Sequence, residues 1–515
     1  MEAQRVDVNE LLNSLPARIS HAVRPWAERT PDAIALSEGD RKIRYGELSL
    51  LIASTGRWLQ QQGVRPGDRV MIVGENTIAL ALFVLATGEI DAWPLVSNAR
   101  LSEREIDGIH AHSAARLALF TTAVSADAAG HAERLGAVAA ELPGIGRFAV
   151  GKLNHAAEAE PVARDGSEQV GALIYTSGTT GSPKGVMLSH RNILFAAAIG
   201  GALRDYGPDD KAYGVLPMSH IVGFSTGLTG TLLFGACLEL VPKFDASACL
   251  RALENEGITR FQGVPTMYQR LLETSRGPIA SPALKSIGVA GAPLEPPLKA
   301  AVEKAFGLTL HNGYGITECS PTIAMTRTEE PPGDTTVGKP IPGIEVRLVD
   351  AGGKRAVDGA VGELHVRGPN VMLGYYKAPD LTAAVIDADG WFNTGDLARF
   401  DGDQLYIAGR TKELIIRSGF NVYPPEVEAV LASHPAVANC AVVGRKVPGN
   451  EEVVAFVQLR AGTTATPQEI IDFAAERLAP YKRPADVFVR ATLPATSAGK
   501  ILKHQLAKEA NQHEH

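Results

Sequence analysis

The sequence contains few cysteines, no long apolar run and no surplus of basic residues. Its four cysteines, Cys237, Cys249, Cys319 and Cys440, include no CxxC pair, which argues against a disulfide framework or a structural zinc site. No run approaches the roughly 18 apolar residues of a membrane-spanning helix. The formal net charge of -7 argues against a nucleic-acid partner, because such proteins carry basic surfaces. The N-terminal stretch MEAQRVDVNELLNSL lacks an apolar core, so we expect neither a signal peptide nor a membrane anchor.

Length and composition are those of a soluble globular enzyme with more than one domain. The chain has 515 residues, of which 45% are hydrophobic and 21% are charged, close to ordinary globular proportions. A chain of this length exceeds one ordinary core, which predicts at least two domains. The sequence contains no internal repeat and no low-complexity tract, and the cytoplasm is the compartment that we expect.

Hydrophobic periodicity alternates between strands and helices along most of the chain. The apolar runs at 68–74 and 171–178 predict buried strands, and the spacing at 103–113 and 247–257 predicts helices. The alanine-rich stretch 123–144 is also predicted to be a surface helix. Such alternation is typical of an α/β fold with parallel strands.

The C-terminal region changes character and predicts a separate small domain. A Pro-Pro pair opens a helix at Glu426, two strands follow, and a later helix has Thr466 as its N-cap with Glu469 completing a capping box. Two strands and two helices in about a hundred residues are enough for an independent domain. We therefore predict an N-terminal domain at 1–409 and a C-terminal domain at 410–515.

The stretch YTSGTTGSPKGVMLSHRN, at 175–192, concentrates hydroxyls, glycines and one lysine. Glycine lets backbone N–H groups turn toward an anion and the lysine adds a mobile positive charge, so the composition favours polyphosphate binding. A Walker-type P-loop requires Ser or Thr directly after its lysine, whereas Lys184 is followed by Gly185. The residues alone leave two interpretations, a phosphate-binding loop of another kind or a flexible turn.

The same stretch resembles the phosphate-binding signature of the adenylate-forming superfamily, which includes acyl-CoA synthetases, peptide-synthetase adenylation domains and firefly-type luciferases. Further signatures of that superfamily follow in the expected order, and the resemblance spans about Trp26 to Lys503. They are NGYGITE at 312–318, GELHVRGPNVMLGYY at 362–376, GWFNTGDLA at 390–398, IAGRTKELIIRSGFNVYPPEVE at 407–428 and LPATSAGKILK at 493–503. The resemblance implies an α/β fold with a large N-terminal domain of layered sheets and helices and a small mobile C-terminal α+β domain.

The resemblance implies a site for ATP and Mg²⁺. Glu318 would hold Mg²⁺ between phosphate oxygens, since a carboxylate is the hard ligand that this cation prefers. Asp396 would accept hydrogen bonds from the ribose hydroxyls, and Arg410 would donate to ribose or phosphate. The other residues implied in ATP binding are Thr176, Ser177, Gly178, Thr179, Thr180, Gly181, Ser182, Pro183 and Lys184 around the phosphates, Gly291, Ala292, Pro293 and Tyr314 around the adenine, and Asn312, Gly313, Gly315 and Thr317 beside them.

The resemblance also implies a catalytic lysine and a hinge. Lys500 would stabilise the charge that develops on the oxygen between the carboxylate and the α-phosphate. The family usually has a basic residue where Ala495 stands, so the match of this loop is incomplete. Lys412, in a hinge at about 410–412, would let the small domain rotate between two half-reactions. After rotation, the channel for the pantetheine arm of coenzyme A would be lined by Arg417, Ser418, Gly419 and Phe420.

The segment LPMSHIVGFSTGL, at 216–228, resembles one wall of the family's acid-binding pocket. His220 would lie beside the carboxylate as a wall residue or as a candidate catalytic base, and Val222 and Phe224 would supply apolar surface. Further wall candidates, by position in their motifs, are Ala290, His311 and Gly315. None of these positions carries a charge that could pair with a second carboxylate or an amino group, which favours a lipophilic monocarboxylic acid, aromatic or fatty.

The implied activity is that of an ATP-dependent carboxylic acid:CoA ligase, which forms an acyl adenylate and releases AMP and pyrophosphate. ATP, Mg²⁺ and coenzyme A are the expected cofactors and co-substrates, and we expect a monomer or a homodimer. A stand-alone adenylation enzyme that loads a carrier protein is the alternative, although no carrier domain follows Lys503. A luciferase-like oxygenase stays open, and a non-catalytic nucleotide-binding regulator is disfavoured because Lys184, Glu318 and Lys500 are all present.

Overall fold

The computed structural model describes residues 7–177, 183–275, 277–327, 334–418, 420–448, 450–495 and 501–512. The α-helices are Val8–Ser14, Arg24–Arg29, Tyr45–Gln61, Ile78–Glu89, Glu103–Ser113, Ala126–Arg134, His190–Ala202, Thr231–Leu233, Ala246–Asn255, Pro265–Ser275, Pro296–Phe306, Pro379–Ala383, Pro424–Ala432, Pro467–Ala475 and Lys503–Ala510. A π-helix spans Val222–Gly230, and short 3-10 helices span Ile19–Val23, Thr317–Cys319, Thr411–Glu413 and Pro480–Lys482. Within these ranges no helix is long and apolar enough to span a membrane.

The largest sheet has nine strands, and its six middle strands run parallel to one another. In spatial order the strands are Lys339–Pro340, Thr322–Met325, Leu310–Gly315, Ser286–Val289, Arg260–Gly263, Lys211–Gly214, Cys237–Leu240, Ile34–Glu38 and Arg41–Arg44. Parallel strands need crossover connections, which the intervening helices supply. The parallel strands that the periodicity predicts are therefore present, flanked at both edges by antiparallel partners.

The remaining sheets are smaller and mostly antiparallel. A five-stranded sheet has the order Trp93–Asn98, Arg69–Gly74, Leu117–Phe120, Gly146–Val150 and Val138–Leu142. A three-stranded sheet joins Gly374–Tyr375, Pro183–Ser189 and Val170–Ser177, and a four-stranded sheet joins Glu345–Val349, Gly362–Arg367, Phe392–Asp401 and Gln404–Arg410. Near the C-terminus lie the pair Ile415–Arg417 and Phe420–Val422 and the sheet Val437–Val447, Asn450–Leu459 and Asp486–Arg490.

Most of the elements predicted from periodicity are confirmed. Strands occupy Arg69–Gly74 and Val170–Ser177, helices occupy Glu103–Ser113 and Ala246–Asn255, and the capping box of Thr466 with Glu469 forms as predicted. The Pro-Pro helix begins at Pro424 rather than at Glu426, because proline is well suited to the first turn of a helix.

The helix predicted over the whole alanine-rich stretch 123–144 is wrong in its second half. The helix ends at Arg134, and Gly136 follows with a φ of 65°, the left-handed conformation that commonly terminates helices. Val138–Leu142 then forms a strand that pairs antiparallel with Gly146–Val150. Pairing with a distant segment thus overrides the local helix preference of alanine.

The N-terminal part is built around the helix Ile78–Glu89. The residues of this helix from Ile78 to Gly88 are all buried, as expected for a helix that is apolar on every side. Its side chains join a hydrophobic cluster that extends from Ile19 to Leu405 and includes residues of several sheets. This cluster positions the nine-stranded sheet against the helix His190–Ala202.

The C-terminal elements have hydrophobic clusters of their own. The cluster around Ile415, Val442 and Val457 and the cluster around Phe456 and Leu506 contain only residues from 415 onward. The fold class, a large α/β N-terminal part with a small α+β C-terminal part, is thereby confirmed. The boundary at 409–410 stays a prediction, supported by the change of core between Ile407 and Ile415.

Candidate active site

A cavity runs along one face of the nine-stranded sheet. Side chains two residues apart in a strand point to the same face, and four strands of the sheet each contribute such residues to the wall. They are Ala212 and Gly214, Leu238 and Leu240, Arg260 and Gln262, and His311, Gly313 and Gly315. Between the last two strands lies Ser286–Val289, which adds Val289 and, just beyond its end, Ala290 and Gly291. The volume open to the centre of a water molecule is about 170 Å³. The segment from His311 to Gly315 forms about 13 Å of this wall, because a strand rises about 3.3 Å per residue.

Two helices with small residues close the opposite side of the cavity. Ala197, Gly200, Gly201 and Arg204 follow one another at helical spacing at the end of His190–Ala202, and all four line the cavity. The π-helix Val222–Gly230 adds Val222, Thr226, Gly227 and Gly230. A side-chain atom placed at Gly200 would meet nothing within 4 Å, and one placed at Gly227 would meet only the Val222 carbonyl oxygen at 3.6 Å. The missing side chains therefore create the space.

Backbone shape at the mouth of the cavity depends on glycine. A Cβ at Gly315 would lie 1.8 Å from the carbonyl oxygen of Pro321, a distance that no non-glycine residue can adopt. Gly291 has a φ of 87°, in the region that favours glycine. Both residues line the cavity, and Gly291 is exposed there together with Pro293.

An acidic side chain lies buried beside this mouth. Asp396 is 3% exposed, its Oδ1 lies 3.0 Å from the Arg410 Nε atom, and its Oδ2 accepts a hydrogen bond from the Tyr314 hydroxyl. Burial, followed by the nearby Asp396 charge, holds the pKa of Tyr314 well above its usual value, so the hydroxyl keeps its proton as a donor. The structure thus brings three residues implied in ATP binding into direct contact.

A second group joins the Lys184 hairpin to Glu318. Lys184 pairs with Thr176 across the hairpin formed by Val170–Ser177 and Pro183–Ser189, and its ammonium lies 5.2 Å from the centre of the Tyr375 ring. The Tyr375 hydroxyl donates to Glu318 Oε1 at 2.8 Å. Burial raises the pKa of Tyr375, and the charge of Glu318 raises it further. Tyr375 therefore stays protonated and fixes the orientation of the Glu318 carboxylate.

Of the residues implied in binding coenzyme A, Arg417 and Phe420 lie on the two-stranded C-terminal pair, and Ser418 directly follows Arg417. Arg417 donates to the Arg483 carbonyl at 2.6 Å, and the Ser418 amide donates to Asn450 Oδ1 at 2.6 Å. Phe420 is 54% exposed and stacks on Tyr481 with ring centres 4.6 Å apart. The hinge candidate Lys412 is exposed in the 3-10 helix Thr411–Glu413.

Some implied residues do not line this cavity, and others lie outside the described part of the chain. Phe224 is fully buried in the main hydrophobic cluster, and neither Phe224 nor His220 is among the described residues that line the cavity. His220 is exposed to solvent, yet protein surrounds it closely enough that desolvation lowers its pKa. Asn312 uses its amide internally, donating to the carbonyls of Thr335 and Thr336 at 3.1 Å. Outside the described residues lie Gly178, Thr179, Thr180, Gly181, Ser182, Gly419 and Lys500 and the side chains of Ser177 and Pro183.

The other implied residues lie at or near the cavity mouth. Thr317 and Glu318 begin a 3-10 helix one residue after the strand Leu310–Gly315. Ala292 and Pro293 continue the turn after Gly291. The acid-pocket candidates that do line the cavity are Val222, Ala290, His311 and Gly315.

Sequence reasoning missed several residues that shape the cavity. Asn76 donates to the carbonyls of Gly214 and Leu216 at 2.8 Å each and accepts from the Met218 amide at 2.9 Å, so it holds the segment that leads into the π-helix. An asparagine far away in sequence gives no local signal of this contact. The expectation of a pocket without charged residues is also incomplete, because Arg204 and Arg260 are among the lining residues. Arg204 follows the end of a helix and Arg260 begins a strand, and the sequence pattern at either position does not distinguish a cavity wall from ordinary surface.

The fold combines a parallel sheet, a mainly apolar cavity, a buried aspartate beside a tyrosine, and a lysine-bearing hairpin. These are the parts of an enzyme that binds a nucleotide next to an organic substrate. The chain belongs to the family of AMP-binding enzymes. The family model described as AMP-binding enzyme matches residues 23–376, and the one described as AMP-binding enzyme C-terminal domain matches residues 426–500.

Individual relatives cover almost the whole chain. Feruloyl-CoA synthase from Amycolatopsis sp is 35% identical over 504 residues, which are 97% of this chain and 99% of the relative. The ATP-bound crystal structure of MatB from Rhodopseudomonas palustris is 28% identical with a TM-score of 0.85, covering 96% of this chain and 99% of the other. The o-succinylbenzoate CoA synthetase of Bacillus subtilis, in complex with its acyl-adenylate intermediate, is 28% identical with a TM-score of 0.81, covering 94% and 97%. The predicted superfamily and the predicted enzyme class, an AMP-forming acid–thiol ligase, are confirmed.

Proposed function

We propose that this enzyme activates a lipophilic carboxylic acid, aromatic or fatty, as an acyl adenylate and transfers the acyl group to coenzyme A. The observation that carries the proposal is the cavity whose mouth, at Gly291 and Gly315, adjoins the contact of Tyr314, Asp396 and Arg410. An acid in the cavity would present its carboxylate where a nucleotide held by these three residues would present its α-phosphate.

In the first half-reaction a carboxylate oxygen attacks the α-phosphorus of ATP. The bond from that phosphorus to the bridging oxygen breaks, and pyrophosphate leaves with the electron pair. We assign Lys184 and the hairpin residues to the departing phosphates, Thr317 to the α-phosphate, and Lys500 to the charge that grows on the oxygen between acid and phosphorus. Asp396 and Arg410 would hold the ribose.

The described residues fit a magnesium ion that is bound largely through ATP. Within the described ranges no group of three or more His, Cys, Asp or Glu side chains could hold a metal by itself. Mg²⁺ commonly binds through one or two carboxylates together with substrate phosphates and water. Glu318 is the carboxylate we propose, since Tyr375 occupies only its Oε1 atom. Bound there, the cation would neutralise negative charge on the phosphates of ATP during adenylyl transfer.

In the second half-reaction the sulfur of coenzyme A attacks the carbonyl carbon of the adenylate. The carbon–oxygen bond to phosphate breaks, AMP leaves with the electron pair, and the thiol gives up its proton. We propose that rotation about Lys412 withdraws Lys500 and brings Arg417, Ser418, Gly419 and Phe420 toward the thiol path. The exposed Phe420, stacked on Tyr481, offers an apolar surface to the pantetheine arm. The cytoplasm, where ATP and coenzyme A are available, is the compartment we expect.

The test is a measurement of AMP and pyrophosphate release with benzoate, cinnamate and fatty acids from butanoate to hexadecanoate, each with and without coenzyme A. We expect at least one acid to give coenzyme A-dependent AMP release. With that acid, Lys500→Ala should lower ATP–pyrophosphate exchange by at least about 100-fold, in the range reported for loss of one electrostatic stabiliser.

The matched control for Lys500 is Lys508→Ala, which changes an exposed lysine of the helix Lys503–Ala510 and should leave exchange intact. Normal exchange in Lys500→Ala would contradict the role of that lysine. If coenzyme A does not accelerate consumption of the enzyme-bound adenylate, the function becomes the loading of a carrier protein instead.

A further inference from the structure

The far end of the cavity is polar, in contrast to its glycine-lined middle. In parallel strands the residues nearer the N-terminus lie together at one edge of the sheet. Ala212 and Arg260 are paired residues of this kind, and His311 lies level with Gln262, two residues further along. Gly214, Gly291 and Gly315 lie toward the other edge, at the mouth. Tyr206 and Thr231 lie at the same polar end. The Arg260 guanidinium lies 4.9 Å from the Tyr206 ring centre, and the Thr231 side chain is within hydrogen-bonding reach of the Tyr206 hydroxyl.

Arg260, at this end of the cavity, has one N–H group that donates to no described residue. Its Nη1 atom donates to the Arg204 carbonyl at 2.7 Å, and its Nη2 atom donates to the Asp205 carbonyl at 2.6 Å and to Asp210 Oδ2 at 2.9 Å. The Nε atom is buried without a hydrogen-bond partner among the described residues. Arg260 lines the cavity and is 9% exposed, so this N–H has no access to bulk water as compensation.

Thr231 provides a second unsatisfied group at the same end. It is fully buried, lines the cavity, and its Oγ1 atom makes no hydrogen bond of normal geometry with the described residues. Its neighbour Tyr206 is protonated throughout the physiological range, because burial raises the pKa of its hydroxyl to about 12. Buried polar groups without partners are rare in native proteins and call for an explanation. Here the two groups share a cavity that is open to a substrate.

The available groups suit a neutral oxygen better than a second carboxylate. A carboxylate is bound best by the two parallel N–H groups of an arginine fork, but both Nη atoms of Arg260 are already engaged. His311 does not add a positive charge near neutral pH, because desolvation, with Arg204 and Lys299, lowers its pKa to about 4. Among these three residues the Arg260 Nε–H has no partner in the described part of the chain. The Tyr206 and Thr231 hydroxyls are close enough to interact with each other and keep one donor hydrogen between them, so the three residues match a hydroxyl, ether or ketone oxygen.

The spacing along the strand Arg260–Gly263 gives the expected position of that oxygen. Gly263 lies three residues after Arg260, its carbonyl accepts from the Ala290 amide at the mouth, and three steps of a strand span about 10 Å. Building on the proposed function, we propose that Tyr206, Thr231 and Arg260 select acids that carry a neutral hydrogen-bonding oxygen about 10 Å from the carboxyl group. These three residues are specificity-determining, and they take no part in either bond-forming step.

The experiment compares pairs of acids in which a methyl group replaces the distal hydroxyl. One pair is aromatic, para-hydroxycinnamate and para-methylcinnamate, and the other is aliphatic, 8-hydroxyoctanoate and nonanoate. The measured quantity is kcat/KM for coenzyme A-dependent AMP release. A site built to bind a hydroxyl discriminates strongly against the analogue that lacks it, so we expect the hydroxylated acid to be preferred by at least about 10-fold in one pair. The corresponding para-carboxycinnamate should be a poorer substrate than para-hydroxycinnamate.

Two conservative variants and one control assign the preference to residues. Tyr206→Phe and Thr231→Val should each reduce the preference to within about 3-fold. The change should come mainly from a lower kcat/KM for the hydroxylated acid. Thr229→Val is the control, because Thr229 is equally buried, donates to the Phe224 carbonyl at 3.1 Å and is not among the described lining residues. Thr229→Val should lower the melting temperature and keep the preference, whereas Thr231→Val should keep the melting temperature.

The outcomes separate this inference from the proposed function. Equal use of both members in both pairs, or a preference that survives Tyr206→Phe and Thr231→Val, overturns the inference and leaves the ligase function standing. The inference is also overturned if Thr231→Val lowers the melting temperature as much as Thr229→Val does, because the Thr231 hydroxyl would then have a structural role. If no acid supports coenzyme A-dependent AMP release, the proposed function fails and the inference fails with it.

Discussion

Tyr375 links the two charged side chains that flank the predicted phosphate site. Its ring lies under the Lys184 ammonium and its hydroxyl donates to Glu318, while its backbone pairs with Val186 across the three-stranded sheet. A carboxylate that is oriented by one strong donor loses little freedom when it binds a cation. Tyr375 is therefore a positioning residue for the metal ligand that we propose.

We expect Tyr375→Phe to weaken the response to Mg²⁺. A hydrogen bond to a charged group contributes about 1.5–3 kcal/mol, so the Mg²⁺ concentration for half-maximal pyrophosphate exchange should rise by about 10-fold or more. The control is Tyr376→Phe, whose hydroxyl donates instead to Glu160 at 2.6 Å and which should behave like the wild type. An unchanged Mg²⁺ dependence in Tyr375→Phe, measured by titration at saturating ATP and acid, would contradict the positioning role.

At the residue scale, the sequence motifs identified residues that are in contact near the proposed nucleotide site, but they identified few of the residues that line the cavity. Tyr314, Asp396 and Arg410 come from three separate motifs and are in contact, although their binding roles stay predictions. The link through Tyr375 could not be predicted, because a tyrosine in an apolar strand reads as an ordinary core residue and this one does belong to the main hydrophobic cluster. Arg260 was missed for a related reason: the buried state of a charged side chain is set by contacts far away in sequence.

Among the helices, the π-helix Val222–Gly230 has the greatest influence on the cavity. Such helices are rare and occur frequently at functional sites, and their wider turn separates neighbouring side chains. The sequence VGFSTGLTG gives no periodicity that distinguishes this turn from an α-helix. Its glycines are not equivalent: a Cβ at Gly223 would lie 2.3 Å from the Pro217 carbonyl oxygen, whereas a Cβ at Gly227 would have free space apart from one contact at 3.6 Å.

We expect Gly223→Ala to reduce stability and Gly227→Val to change the range of acids that the enzyme accepts. Gly223→Ala forces a backbone clash and should lower the melting temperature with every acid affected alike. Gly227→Val should keep the melting temperature close to that of the wild type, while kcat/KM falls for the bulkiest acids and is kept for the smallest ones. The measurements are thermal unfolding and kinetics over an acid series, and equal loss across the series in Gly227→Val would show that this glycine does not border the acid.

At the scale of the whole molecule, the two parts of the chain meet at an unusual pair of acids. Glu295 precedes the helix Pro296–Phe306, and Glu428 lies on the helix Pro424–Ala432 of the C-terminal part. Glu428 is held by Lys503 at 2.7 Å, and Lys503 also lies 3.3 Å from Glu413. The Glu295 Oε2 atom is buried without a hydrogen-bond partner among the described residues. Burial, followed by the charge of Glu428, raises the pKa of Glu295 to about 7, and Lys503 opposes this rise.

The raised pKa predicts that stability falls as pH rises. Folding lifts the pKa of Glu295 from 4.5 to about 7, so the folded state binds its proton more tightly than the unfolded state does. The resulting stabilisation is complete below about pH 4.5 and is lost as pH rises through about 7. Between about pH 5 and about pH 8, calorimetry should show a smaller fall in melting temperature for Glu295→Gln than for the wild type.

The control for this measurement is Glu273→Gln, at an exposed position of the helix Pro265–Ser275. Its melting temperature should follow that of the wild type at every pH, because the substitution changes no buried group. Parallel curves for Glu295→Gln and the wild type would exclude Glu295 as a source of the pH dependence. Cys440, which lies close to both glutamates, is kept unchanged in all three proteins.

The helices His190–Ala202 and Val222–Gly230 that close the cavity carry none of the residues we assign to ATP. Gly200, Thr226 and Gly227 can therefore be exchanged without disturbing the Tyr314, Asp396 and Arg410 contact. After gene duplication, a few substitutions on these helices can change the acid that one copy accepts. The residues that we assign to the nucleotide need not change. The separation gives a route by which enzymes with one shared fold, such as the relatives named for ferulate and o-succinylbenzoate, come to act on different acids.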